Sequence, residues 1–491
     1  VGATTLEDAV ITAQELMDHA RNLGLRPQVV EKDYALGWLL AGIAAHPVIG
    51  PGWVFKGGTC LKKCYFETYR FSEDLDFTLT DPAHLDEAFL LSTFREVATW
   101  IEEHSGIELP DADRRFESYT NPRGRMSAQG KVGYRGPIAP RGDLPRIKLD
   151  LTNDERLVLP PSLRPVHHPY TDRTEEGFAI RAYAFEEVFA EKIRALAERQ
   201  KPRDLYDVIN LFWRDDFQPD RVVMLDTLRK KCEFKGIALP TVHQLELDPA
   251  RVELESGWEQ MLAHQLPALP VFADFWQALP AMFQWLYGDA DKLLRTPIPS
   301  DEPGDVVQEP MAGTGVWSPA QRQEYFNVPM DLIRFAAANR LCIDLGYQHS
   351  HRLIEPYSLR KTKDGRLLLM AVKHSTSEPR SYRLDRIQSA SISNVPFVPR
   401  YSIELSSTGN FTVKPTVQRT PVYPSGSFAS FGAVSVPRKT RTSYGMKYVY
   451  RCPMCDKKFT HIKMGGKLNP HKDKYGYPCR GRIGYLEGTK Y

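Results

Sequence analysis

The sequence of 491 residues contains no apolar run that approaches a bilayer span, which takes about 20 consecutive residues. Its first residues, Val1 to Thr5 followed by Leu6-Glu7-Asp8, lack the basic and then apolar order of a secretory signal. No membrane partner is expected, and the expected compartment is the cytoplasm. Cysteine is sparse, with seven in the chain. Cys60, Cys64, Cys232 and Cys342 are scattered among apolar or mixed neighbours and read as buried structural thiols, not as a disulfide framework. Charge of one sign is also lacking over the whole chain, whose net charge is +3. The excess is local: between Arg438 and Tyr491 the only acids are Asp456, Asp473 and Glu487, amid many Lys and Arg. A polyanionic partner suits such a segment better than a merely soluble tail.

The chain is too long for one compact core, so several domains are expected. Its hydrophobic fraction of 42% and charged fraction of 25% are those of an ordinary globular protein. Two helical patterns cover residues 6–47. A short strand at Trp53-Val54-Phe55 runs into Gly57-Gly58-Thr59 and a helix carrying Leu61 and Tyr65. A second strand follows at Leu75–Leu79, then a helix over roughly 83–104 and short strands near 115–120, 130–134 and 146–152. Phe185 to Trp213 reads as two helices broken at Lys201-Pro202, because proline is tolerated at a helix start and not inside. Further helices are expected at about 219–234 and 270–287. The Pro-, Gly- and acid-rich stretch beyond residue 297 reads as linker, and no internal repeat is evident.

The strongest chemical signal runs from Phe55-Lys56-Gly57-Gly58-Thr59 to Arg70-Phe71-Ser72-Glu73-Asp74-Leu75-Asp76-Phe77. Adjacent glycines at a strand-to-helix junction let backbone N–H groups approach phosphate oxygens. Asp74 and Asp76, two apart on a strand, project from one face, a spacing that lets both bind Mg²⁺ alongside a triphosphate. Asp150, in the strand Arg146-Ile147-Lys148-Leu149-Asp150-Leu151-Thr152, is the natural third carboxylate of a two-ion site. A bare pair of acids two apart is weak, since such pairs usually belong to a solvated surface. Here the flanking Leu75, Phe77 and Leu79 make a plain structural role awkward, because unpaired carboxylates resist burial.

The run from Lys56 to Phe77 resembles the AbiEii/AbiGii family of nucleotidyltransferase toxins, part of the DNA polymerase β superfamily and of type IV toxin–antitoxin and abortive-infection systems. Glu31-Lys32-Asp33-Tyr34, Glu187, Glu191-Lys192 and Arg203-Asp204-Leu205-Tyr206-Asp207 resemble further motifs of that family, in order, over roughly residues 10–290. The resemblance implies catalytic positions at Ser72, Asp74, Asp76, Lys192 and Asp207, to which the strand reading above adds Asp150. It implies nucleotide-binding positions at Lys56, Gly57, Gly58, Thr59, Arg70 and Lys192. Without it, Glu187, Glu191 and Lys192 would read as a surface charge pattern and Arg203, Asp204 and Asp207 as a helix N-terminal cluster.

Residues about 328–400 resemble a WYL domain, with Leu367-Leu368-Leu369 near the place of the Trp-Tyr-Leu tripeptide. There Arg380, Tyr382, Arg383 and Arg386 are candidates either for a basic ligand pocket or for plain strand packing. In the last segment Cys452-Pro453-Met454-Cys455 presents two thiolates, and His471 and Cys479 complete a Cys3His zinc site. His461 competes for the fourth place. A segment this short lacks a core of its own, which argues for a structural ion. The surrounding Lys and Arg, with Tyr475, Tyr477 and Tyr485, suit nucleic-acid backbone contacts and base stacking.

The expected fold is therefore α+β: a polymerase-β-type nucleotidyltransferase core with a helical C-terminal half over 6–290, a linker over 291–325, a β-rich WYL-like domain over 326–400, an extended or β connection over 401–446 and a zinc module over 447–491. The expected function is transfer of a nucleoside monophosphate from an NTP, with two Mg²⁺ ions, to an RNA (tRNA) 3′ end or else to a protein hydroxyl. A separately encoded antitoxin is implied by the resemblance. The competing class is a nucleotide-sensing, nucleic-acid-binding regulator without turnover.

Overall fold

The computed structural model describes residues 11–66, 68–138, 143–173, 177–215, 218–246, 250–300, 306–307 and 328–405, and parts of the last segment from 447 to 490. Most of the expected linker, the connection from 406 to 446 and the side chain of His461 lie outside the described residues. The chain divides into two compact units, 1–421 and 422–491.

The first unit opens with helix α1 (Ala13–Leu23), capped by the Thr12 side chain and closed by Gly24 in the left-handed region at φ +64°. Helix α2 (Pro27–Ala45) starts on a proline and is buried nearly all round, as its almost unbroken apolar sequence requires. Seven strands form one mixed sheet: β1 (Trp53–Lys56), β2 (Asp74–Leu79), β3 (Arg114–Thr120), β4 (Met126–Gly133), β5 (Arg146–Thr152), β6 (Ser162–Pro165) and β7 (Ala179–Ala182). Their spatial order is β3-β4-β5-β2-β1-β7-β6. The pairs β2–β5 and β1–β7 are parallel and the others antiparallel. Helix α3 (Glu87–Ser105), N-capped by Asp86, packs against β3 and α2 and covers the back of the sheet.

Helices α4 (Phe185–Arg199) and α5 (Pro202–Trp213) are separated by Gln200, left-handed at φ 47°, and Pro202 starts the second. The break therefore falls at Lys201-Pro202, where the proline predicts it. Helices α6 (Arg221–Lys235) and α7 (Phe272–Tyr287) complete the helical half. The helix expected after Gly57 is present, as an α-turn, Gly57–Cys60, that continues into a π-turn, Leu61–Tyr65.

The second sheet of this unit packs against helix α8 (Met330–Ala338). It is built from β8 (Val306–Val307), β9 (Leu341–Tyr347), β10 (Ser350–Thr362), β11 (Leu367–Lys373), β12 (Glu378–Arg383) and β13 (Ile387–Pro396), in the order β12-β11-β10-β9-β13, with β8 on β10. Residues 291–300 fall within the expected linker, yet they are tied down. The Arg295 guanidinium donates to the Pro399 carbonyl at 2.9 Å, and Ser402 N–H to the Thr296 carbonyl at 2.9 Å.

The second unit holds β14 (Lys447–Arg451), β15 (Lys458–His461), β16 (His471–Lys472), β17 (Pro478–Cys479) and β18 (Tyr485–Lys490). β14 is flanked by β15 and β18, while β16 and β17 pair separately. Among the described residues no helix is long and apolar enough to cross a membrane.

Candidate active site

Register alone brings the key carboxylates together. Asp76 lies opposite Asp150 on β5 and opposite Lys56 on β1, and Asp74 lies opposite Lys148. Residues directly opposite share a face, with Cβ atoms about 5 Å apart. The strand alternation buries Leu75, Phe77, Leu149 and Leu151 on the other face. The three acids thus stand side by side on the floor of a cleft of about 350 Å³, whose walls include Lys56, Gly57, Gly58, Arg70, Ser72, Lys148, Glu155, Lys192, Arg199 and Arg203.

Both glycines are demanded by this crowding. Gly57 adopts φ +83°, and a Cβ there would stand 2.1 Å from Asp76 Oδ2. A Cβ on Gly58 would stand 2.5 Å from Arg70 Nη2 and 3.3 Å from Ser72 Oγ. Any side chain would displace the groups the cleft is made of. Thr59 sits elsewhere: it is buried behind the turn, and its hydroxyl donates to the Asp74 carbonyl. It fixes the turn to β2 and does not line the cleft.

Burial pushes the Asp74 carboxyl up, Lys148 and Lys32 oppose that, and Asp150 reinforces it. Burial likewise raises Asp76, against Lys56 and together with Asp150. Three carboxylates held where they disfavour each other's charge are an oxygen-rich donor set for a hard divalent cation such as Mg²⁺. Lys148, whose Nζ is 3.0 Å from Asp150 Oδ2, supplies part of the balancing charge.

Lys192 reaches the cleft from α4. Its Nζ lies 2.7 Å from Asp207 Oδ2 and 3.7 Å from Asp204 Oδ1. Asp207 is fully buried and also receives a forked contact from Arg70, with Nε to Oδ1 and Nη2 to Oδ2 both at 2.7 Å, and the Tyr69 hydroxyl at 2.9 Å. Burial alone would raise its pKa, but Arg70 and Lys192 outweigh it and hold the carboxyl well below the usual range. Asp207 accordingly holds two cations in place and does not itself line the cleft. Asp204 grips Arg199 in the same forked manner, at 2.7 and 2.8 Å. Glu187 is equally structural: it accepts from Val158 N–H and Leu159 N–H and pairs with Lys231 at 2.8 Å.

Sequence reading missed Lys148, Glu155 and Arg199 as cleft residues. Lys148 was findable, since it is two residues before Asp150 on the same strand and must share its face. Glu155, 3.6 Å from Lys56 and 3.1 Å from Lys235, carries no such signal.

Comparison with known proteins fits this geometry. Residues 38–281 match the model of the "Nucleotidyl transferase AbiEii toxin, Type IV TA system" family, and residues 330–392 match the WYL domain. The chain carries an AbiEii nucleotidyltransferase domain, and it is an enzyme of the nucleotidyltransferase class. Among solved structures, the nucleotidyltransferase toxin MenT4 of Mycobacterium tuberculosis H37Rv is 20% identical, over 57% of this chain and 91% of that one, with a TM-score of 0.38. The proteasome accessory factor PafBC of Arthrobacter aurescens is 12% identical, over 82% and 75%, with a TM-score of 0.15. No curated protein matches.

In the WYL domain, Tyr382 is buried edge-on against Tyr347, while Arg380 pairs with Glu378 at 2.8 Å and Arg383 with Asp385 at 2.5 Å. Tyr382 packs the strand, and those two guanidinium groups have local carboxylate partners.

The second unit has a metal-binding geometry of its own. One ligand atom from each of Cys452, Cys455, His471 and Cys479 lies within 4.8 Å of the others. The Cys452 and Cys479 sulfurs are 3.7 Å apart, and Cys455 Sγ is 3.2 Å from His471 Nε2. Zinc–sulfur bonds of about 2.3 Å and zinc–nitrogen bonds of about 2.0 Å imply tetrahedral edges of roughly 3.5–3.8 Å, so the set fits a structural zinc ion. The hairpin of β16 and β17 places His471 directly opposite Cys479. Purified protein is expected to contain one zinc per chain by elemental analysis, and Cys452→Ser to lose it. Full retention of zinc in that variant would rule the site out.

Proposed function

We propose that this chain transfers a nucleoside monophosphate from an NTP to the 3′-terminal hydroxyl of an RNA, a tRNA in the first instance, releasing pyrophosphate. The observation that carries the reading is the row of Asp74, Asp76 and Asp150 on one sheet face beside the Gly57-Gly58 turn. Asp74, Asp76 and Asp150 would hold two Mg²⁺ ions, which would supply charge neutralisation at the triphosphate. The backbone of Gly57 and Gly58, with no Cβ in the way, lets the triphosphate approach the floor. Lys192, held by Asp207, offers its ammonium group to the phosphates, and Arg70 is held by the same carboxylate behind Gly58. Ser72 lines the cleft next to Gly58. The acceptor oxygen bonds to the α-phosphorus while the bond to the bridging α–β oxygen breaks, and the hydroxyl proton leaves by way of the Asp150 carboxylate.

The basic composition of the last segment supports a nucleic-acid acceptor. The type IV description of the matched family supports a toxin restrained by a cognate antitoxin, acting in the cytoplasm in a toxin–antitoxin or phage-defence system. The test is transfer of label from each of the α-³²P NTPs, with Mg²⁺, onto total RNA, tRNA and total protein. Labelled tRNA is the expected result. Labelling confined to a protein band would move the acceptor to protein, and no labelling of any acceptor would sink the reading.

A further inference from the structure

The face that carries the catalytic carboxylates does not end at β5. Register continues it outward: Lys148 lies opposite Lys131 on β4, which lies opposite Arg115 on β3. Asp74 is therefore the inner end of a straight row, Asp74–Lys148–Lys131–Arg115, stepping about 4.8 Å per strand. The next row runs Asp76–Asp150–Gln129–Glu117. Helix α3 covers the opposite face, where Phe116 and Ala128 are buried, whereas Arg115, Glu117 and Lys131 are solvent-exposed. Between them lies a shallow depression of about 280 Å³, lined also by Arg146.

Two consecutive pairs of like charges placed directly opposite each other are destabilising in a sheet. The obvious remedies are only partly present. Lys148 has Asp150, and Arg146 has Asp113 at 3.5 Å. Among the described residues neither Arg115 nor Lys131 has an ion pair within 4.0 Å. A folded surface that keeps such a row next to its reaction centre has a use for an anion there, and the row is too long for the triphosphate alone. Tyr119, also exposed, stands on the same face two rows away, as the alternation Arg115, Glu117, Tyr119 requires.

We propose that this open face is the track of the acceptor strand: the sugar–phosphate backbone of a single-stranded RNA end lies over Arg115, Lys131 and Lys148, which delivers its terminal hydroxyl to Asp150. The proposal rests on the nucleotidyl-transfer reading of the cleft and adds where the polynucleotide enters. Contacts of this kind carry no base specificity. They position the strand, and they are screened by salt.

The test uses the full chain, the double variant R115Q/K131Q and the single variant E117Q, with a fluorescent single-stranded RNA oligonucleotide and with tRNA, over roughly 50–200 mM salt. Neutralising one phosphate-binding cation flattens the log–log salt dependence for a single strand by about 0.7, so the double variant is expected to bind with a slope shallower by about 1.4 and with roughly tenfold weaker affinity at low salt. E117Q, which removes the exposed acid beside Arg115 and Lys131, is expected to bind more tightly. The KM for NTP stays unchanged in both. The melting temperature of R115Q/K131Q does not fall, because the substitution relieves like-charge opposition. Wild-type affinity and slope in R115Q/K131Q overturn the proposal. So does a protein acceptor whose labelling falls in that variant while RNA binding does not, since the occupant is then an acidic protein surface. RNA binding that weakens as expected, in an enzyme that labels no RNA, leaves the surface standing and refutes the RNA-transfer reading instead.

Discussion

Asn at both Asp74 and Asp76 is expected to lower nucleotidyl transfer by on the order of 10³-fold or more while leaving the melting temperature no lower than that of the wild type. The loss follows from removing two of three carboxylates that would hold charge-neutralising ions, each worth several kcal/mol at the transition state, where about 1.4 kcal/mol is a factor of ten. The retained stability follows from the same geometry. Both carboxyls are raised by burial and by the neighbouring Asp150, so the folded chain bears an electrostatic cost that the amides do not. Transfer is read as label incorporation and stability as thermal unfolding without added metal. Retained activity removes the carboxylates from the mechanism. A large fall in melting temperature means they are structural.

Asp207→Asn is expected to act the other way, through the fold. This carboxylate is buried and receives Arg70, Lys192 and the Tyr69 hydroxyl. Removing one partner of a buried pair costs about 3–5 kcal/mol, because it leaves cations without a counter-charge. For a unit of about 400 residues that is a fall of roughly 4–6 °C in melting temperature. Activity falls with it, since Lys192 loses its anchor. The pH dependence has a definite sign. The folded-state pKa of Asp207 is depressed, so its contribution is complete above the ordinary carboxylate value near 3.8 and is lost as pH falls below it. Wild type should lose this increment on acidification and the variant should not, as comparison of their melting curves at falling pH would show. Equal stability of the two at neutral pH would refute the structural role.

Much of this site was legible because strands alternate and prolines break helices. Asp74 and Asp76 had to share a face, and the Lys201-Pro202 break fixed where α5 begins, and hence that Asp204 and Asp207 lie one turn apart. What escaped is non-local. Nothing in the sequence couples Arg70 to Asp207, 137 residues later, and without that fork Asp207 reads as catalytic when it is a clamp. Thr59 escaped for a related reason: a hydroxyl after two glycines suits phosphate, but here it is taken up by the Asp74 carbonyl. The Cys452-to-Cys479 segment was legible in the ordinary way of metal sites, where spacing carries the geometry.

Helix α5 has a second side. Opposite Asp204 and Asp207 it shows Tyr206 and Asn210, whose side chains donate to Asn339 Oδ1 at 2.9 and 3.3 Å, and Trp213, under the Arg340 guanidinium at 4.1 Å. Asp215, just beyond, accepts from Ile403 N–H and pairs with Arg295. A truncation near residue 295, natural for isolating the catalytic half, would uncover Trp213 and leave the Tyr206 and Asn210 groups to water, on the very helix that anchors Lys192. An inactive fragment of that kind would report a loosened anchor, not the loss of a substrate-recruiting module. Dissecting this enzyme therefore calls for point substitutions, with the α8 side of the junction kept whole.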